Sequence, residues 1–168
     1  SGPYTAVPID LDGDGYTELV SANKNAGTVS VLLNTSAGNT INFANKVDFS
    51  VSTSPVFIAI GDINGDGKPD IIAPNYGSNT ISILKNISTM GNINFDSKVD
   101  FATGAGPNAV AIGDINGDGK LDVIVVNINS NTVSVLINNS SVSSISLASK
   151  VDFTTGSYPT GVVVGDID

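Results

Sequence analysis

Apolar positions along the chain recur in short runs and not in helical stripes. Phe57–Ile60 and Ala109–Ile112 are runs without polar alternation, and each is followed after a polar loop by a second run, Ile71–Ala73 or Val123–Val126. Runs this short, rich in β-branched residues, predict strands buried on both faces. A third segment alternates: Thr28–Leu32, Thr80–Leu84 and Thr132–Leu136 place small hydroxyl residues on one side, which predicts a half-exposed strand. The fourth segment, residues 43–49, 95–101 and 147–153, is the most polar. No stretch is suited to a helix, given the density of Gly, Asn, Ser and β-branched residues.

This order repeats every 52 residues, as the leading aspartates Asp10, Asp62, Asp114 and Asp166 show. Prolines stand seven residues before each of them, at Pro3, Pro55, Pro107 and Pro159. A fixed period of this size signals a repeat architecture. Four strands per period, wetter outward, describe the blade of a β-propeller, whose inner strands are covered on both sides by neighbouring blades. The expected fold is all-β: tandem four-stranded antiparallel blades at residues 1–54, 55–106 and 107–158, with 159–168 beginning a fourth.

The loop between the first two strands carries the candidate chemistry. In the second repeat Asp62, Asn64 and Asp66 alternate with residues that let the backbone curl, and Asp70 closes the group. Calcium takes about 6–8 oxygen ligands, so these side chains and the carbonyl of Lys68 nearly fill its shell. Gly65 and Gly67 are suited to the positive φ angles of so tight a wrap. An EF-hand does not fit, because the closing acid comes at the ninth loop position and strands, not helices, flank the loop.

Charge and inventory sharpen this picture. The chain of 168 residues has a net charge of −9, and twelve of its sixteen acids sit in the repeated loops. Three calcium ions would bring −9 to −3, so the acidity reads as metal sites, and no basic patch for nucleic acid is present. There is no Cys, His or Trp, which excludes thiol nucleophiles, His-based triads and disulfides. No apolar run is long enough to span a membrane as a helix. With no acid–base pair converging outside the loops, the sequence is read as that of a protein that is not an enzyme.

An apolar strand, the loop "GDINGDGKPD", a second apolar strand and "NTISIL" together resemble the FG-GAP or VCBS repeat, the calcium-binding blade also seen in the propeller of integrin α subunits. The resemblance covers essentially the whole chain. It implies ligands at loop positions one, three, five and nine, with a backbone carbonyl at seven. Those are Asp10, Asp12, Asp14, Tyr16 and Glu18; Asp62, Asn64, Asp66, Lys68 and Asp70; and Asp114, Asn116, Asp118, Lys120 and Asp122. Asp166 and Asp168 start a fourth set. Three Ca2+ ions are expected, one per complete loop, with Glu18 departing from the usual aspartate.

Two further features share the period. Asn34, Asn86 and Asn138 each head an N-x-Ser/Thr sequence, so each is a candidate glycan acceptor as well as a turn former. Lys46/Asp48, Lys98/Asp100 and Lys150/Asp152 read as solvated pairs on an outer strand. Since a closed propeller has about 4–8 blades, three and a fraction imply continuation into further blades or self-association, as a ring, superhelix or filament. The functional expectation is an extracellular, calcium-stabilised scaffold or adhesion module with a glycan or protein ligand. The alternative is a lectin-like propeller, for which Tyr76 and Tyr158 are the available, non-periodic aromatic platforms.

Overall fold

The computed structural model describes residues 2–165. Twelve strands form three four-stranded antiparallel sheets, each following chain order. The first blade is β1 (Pro3–Ile9), β2 (Glu18–Asn23), β3 (Thr28–Leu32) and β4 (Val47–Ser50). The second is β5 (Ala59–Gly61), β6 (Asp70–Asn75), β7 (Thr80–Leu84) and β8 (Val99–Ala102). The third is β9 (Pro107–Gly113), β10 (Asp122–Asn127), β11 (Thr132–Leu136) and β12 (Val151–Thr154). Among the described residues there is no helix, and so none long and apolar enough to cross a membrane.

Register is the same in every blade: Ser30 pairs with Asp48, Ser82 with Asp100 and Ser134 with Asp152. The apolar core lies between the sheets. Val20, Ala22, Val29 and Val31 of the first blade pack against Ile58, Ile71, Ala73, Leu84 and Phe95 of the second. Ile72, Ile81 and Ile83 of the second pack against Val110, Val123, Val125, Leu136 and Leu147 of the third. Successive residues of a strand face opposite ways, so Ile71 and Ile72 serve two different interfaces, and all six residues of β6 are buried. Phe49 and Phe95 meet edge to face across the first interface, with centroids 4.8 Å apart. At the second, Gly61 is required by close approach: a Cβ there would lie 2.3 Å from Ile112 Cδ1.

Four expectations change. The first strand of the second blade shrinks to three residues, because Pro74 stands where the third blade has Val126. The Pro74 carbonyl accepts from the Val56 N–H at 3.1 Å, and the missing N–H would have pointed the same way, toward β5. The fourth strands begin late, at Val47, Val99 and Val151; upstream, Phe43, Phe95 and Leu147 make only isolated bridges to Asn34, Asn86 and Asn138. Residues 159–165 form no strand, since no fourth-blade partner is present among the described residues.

The hydroxyl face of the third strands is not the exposed one: Ser30, Ser82 and Ser134 are all buried. Each hydroxyl takes part in a polar chain across its sheet. Asn75 Nδ2 donates to Ser82 Oγ at 2.9 Å, and Ser82 Oγ donates to Asp100 Oδ1 at 2.6 Å. Asn127, Ser134 and Asp152 repeat this at 2.8 and 2.7 Å, and Asn23, Ser30 and Asp48 form the same chain. Lys46, Lys98 and Lys150 pair with the aspartates. These pairs are therefore the solvent-side ends of a buried network, not free surface neighbours. The Lys46 ammonium and the Ser30 hydroxyl hold the Asp48 carboxyl below the usual aspartate range.

Candidate metal centre

Each complete loop is wound by its own carboxylates. Asp62 accepts from Gly65 N–H at 2.8 Å with one oxygen and from Gly67 N–H at 2.7 Å with the other. Asp10 and Asp114 do the same at 2.8 and 2.9 Å and at 2.7 and 2.8 Å. The third and fifth side chains each accept from the N–H two residues on, as Asp66 does from Lys68 at 3.0 Å and Asp14 from Tyr16 at 2.7 Å. The glycines at the fourth and sixth positions all have positive φ, 76° and 85° at Gly65 and Gly67. Lys68 and Lys120 send their ammonium groups to the carbonyls of Ser88 and Ser140. Among the described residues only the first loop brings three carboxylates together, those of Asp10, Asp12 and Glu18; Asp14 lies outside that group, and no such trio forms in the second or third of these loops.

The ninth residue sits beneath them, fully buried at Glu18, Asp70 and Asp122. Asp70 accepts from Ile63 N–H at 3.0 Å and from Asn86 N–H at 2.8 Å; Asp122 accepts from Ile115 at 3.0 Å and from Asn138 at 2.8 Å. Glu18 differs: Oε2 accepts from Leu11 N–H at 2.7 Å, while Oε1 is buried with no hydrogen-bond partner. Burial raises the Glu18 carboxyl above its ordinary range and pushes Asp70 up to about 6, with Asp66 and Asp62 adding repulsion.

These observations fit a hard divalent cation. Carboxylate oxygens of Asp10, Asp12 and Glu18 lie within 4.8 Å of one another, with one of the Glu18 oxygens buried and unpartnered. An all-oxygen donor set of this kind suits Ca2+, Mg2+ or Mn2+ and not a soft metal. The loops centred on Asn64 and Asn116 replace the middle carboxylate by an amide, so each presents one negative charge fewer. The calcium-ligand assignment places Asp166 and Asp168 outside the described residues.

The candidate glycan acceptors have another occupation. Asn86 Nδ2 is buried and donates to the carbonyls of Leu11 at 2.8 Å and Pro69 at 3.0 Å. Asn138 Nδ2, equally buried, donates to Ile63 at 2.8 Å and Leu121 at 2.9 Å. A sugar on either nitrogen would replace a donated hydrogen and force the blades apart, so the folded geometry is incompatible with glycans at these two positions. Asn34 is half-buried and donates to the Thr17 carbonyl at 2.9 Å. Sequence reasoning missed this inter-blade role because Asn and Ser also build turns; the 52-residue spacing was the available signal.

Three blades of four antiparallel strands, joined by acidic hairpin loops, define a propeller-type repeat protein. The model of the FG-GAP-like repeat matches residues 10–73, 62–125 and 114–168, and the chain belongs to that family. No curated protein matches the chain. Among solved structures, the chain is similar to the periplasmic gluconolactonase PpgL of Pseudomonas aeruginosa, with a TM-score of 0.61 and 16% identity. The match covers 95% of this chain and 41% of the lactonase, so the chain spans under half the length of that neighbour. This neighbour corrects the expectation that the chain is not an enzyme: an enzyme is built on the same fold, and a lack of His and Cys does not decide the question.

Proposed function

We propose that the chain is a calcium-stabilised extracellular repeat scaffold, acting in adhesion or assembly through blades that stack with further blades or further copies. The observation that carries the calcium reading is the buried Glu18 carboxylate, one oxygen of which lies within 4.8 Å of carboxylate oxygens of Asp10 and Asp12. Carboxylates held this close repel one another, the more so where one is buried, and a cation removes that cost. The ion would be held by Asp10, Asp12, Asp14, Glu18 and the Tyr16 carbonyl in loop 1 (10–18). In loop 2 (62–70) and loop 3 (114–122) the corresponding residues are Asp62, Asn64, Asp66, Asp70 and the Lys68 carbonyl, and Asp114, Asn116, Asp118, Asp122 and the Lys120 carbonyl. Its contribution is charge neutralisation and a rigid link between the two inner strands.

An extracellular setting is supported by the calcium concentrations there, which fill even weak loops. Stacking is supported by the apolar face of the third blade, where Phe153 is 55% exposed at a position where the second blade half-buries Phe101 against its neighbour. Melting in calcium and in EDTA tests the proposal. A cation present at about a thousand times its Kd stabilises the folded state by about 4 kcal/mol per site, so chelation should lower Tm by many degrees. Equal melting curves would overturn the calcium reading.

A further inference from the structure

The two interfaces are apolar along the strands, and each is closed at its loop end by one asparagine. The Asn86 backbone N–H donates to Asp70 Oδ1 at 2.8 Å, and its side-chain nitrogen donates to Pro69 in the same loop at 3.0 Å. The same nitrogen reaches 75 residues back to the Leu11 carbonyl, in the loop of the preceding blade, at 2.8 Å. Its Oδ1 accepts from Ser88 N–H at 2.8 Å, so each polar atom of this buried side chain is engaged. Asn138 repeats the arrangement with Asp122, Leu121, Ile63 and Ser140.

A second contact joins the same partners. The hairpin after β7 donates from Gly91 N–H to Asp12 Oδ2 at 2.7 Å, and the hairpin after β11 accepts at Val142 from Asn64 Nδ2 at 2.8 Å. Asp12 and Asn64 are the third-position residues of their loops. Each of these two loops is thus gripped by the following blade, which buries Leu11 and Ile63 to 2% exposure. Loop 3 has no such grip among the described residues, and Ile115 is 49% exposed.

We propose that Asn86 and Asn138 couple consecutive cation loops, so that the three loops fill as a linked row. This rests on the calcium reading above. A cation in loop 2 orders Asp70 and the Pro69 carbonyl, and both are bonded to Asn86. Asn86 is then already fixed where it holds Leu11, between Asp10 and Asp12, so loop 1 binds with less ordering left to do. The coupling is reciprocal by linkage: an ion in loop 1 favours one in loop 2 by the same factor. Asn138 links loops 2 and 3 in the same way, through Asp122, Leu121 and Ile63.

Calorimetric calcium titration of the 168-residue chain tests this. An ion in loop 2 is expected to tighten binding in loops 1 and 3 about fivefold or more, the lower end of ordinary site-to-site coupling. Asp118→Asn should remove one step and loosen loop 2. Asp66→Asn should remove one step and loosen both loop 1 and loop 3. In Asn86→Ser, checked for folding by circular dichroism in excess calcium, loop 1 should no longer respond to Asp66→Asn. Should Asn86→Ser not fold, Asp66→Asn in the otherwise native chain still decides. Three equal and independent steps, or a loop 1 unaffected by Asp66→Asn, overturn the coupling and leave the calcium reading standing. Absence of any calcium binding overturns both.

Discussion

The second and third blades share their strand and loop pattern and the same hydrogen-bond register, with Ile81 opposite Phe101 and Val133 opposite Phe153. Their burial differs. Ile81 and Ile83 are sealed against the third blade, whereas Val133 and Val135 are half-buried and Phe153 is largely exposed. Loop 2 is mostly covered, while residues 114–120 of loop 3 are exposed throughout. The sheet is therefore set within a blade, and the core is set between blades. Repeat proteins in general divide their stability in this way, into a local part and a nearest-neighbour part.

The sharpest way to break this comparison is to truncate equivalent side chains. Ile81→Ala should cost about 2–5 kcal/mol, the range for emptying a well-packed core position. Val133→Ala, half in solvent, should cost about 1 kcal/mol or less. Urea unfolding of the two variants measures both, and equal losses would mean that the interface is not where the stability lies.

The polar chains give a contrasting case, because their Asn–Ser–Asp bonds run within one sheet. Ser82→Ala leaves the buried Asn75 amide with Thr80 Oγ1 as its remaining acceptor and takes the donor from Asp100 Oδ1, a loss of about 1 kcal/mol. Ser134→Ala, which also takes the acceptor from Gly104 N–H, should cost at least as much. A much smaller loss at Ser134 would show that the network depends on the neighbouring blade after all.

A smaller effect concerns pH in the chelated protein. Asp70 has its folded-state carboxyl raised to about 6 from an ordinary 3.8, chiefly by burial. A raised carboxyl binds its proton more tightly when folded, so its stabilising contribution is complete below about pH 4 and is lost as pH rises through about 6. Chelated protein should therefore melt higher at pH 5 than at pH 7.5. A flat profile would place the strain elsewhere. Smallest in stability terms is Phe153→Ser, which should change monomer stability by about half a kcal/mol. It should nonetheless remove any concentration-dependent association seen by sedimentation, if the open face is where copies stack.

Much of the fold was legible in the chain. The 52-residue period, the apolar runs and the acidic loops are local patterns, and each depends on backbone preferences that a few neighbouring residues set. The shortening of β5 was legible too, in Pro74, though its meaning depended on which way the missing N–H would face. Ser30, Ser82 and Ser134 were misread as solvent-facing because alternation reports which residues share a face and not what covers it. The inter-blade bonds of Asn86 and Asn138 were not legible, because a three-residue motif carries no information about a carbonyl 75 residues away.

By itself the sequence determined three repeats, four strands in each, and a loop of spaced oxygen donors closed by Glu18, Asp70 or Asp122, since period, propensity and turn chemistry act over a few residues. Only the tertiary structure decided which faces are sealed, that two sequon asparagines tie one loop to the next, and that a Glu18 oxygen is left buried without a donor. Those outcomes depend on what a neighbouring blade brings within about 3 Å, the reach of a hydrogen bond, and such a neighbour lies some fifty to eighty residues away along the chain.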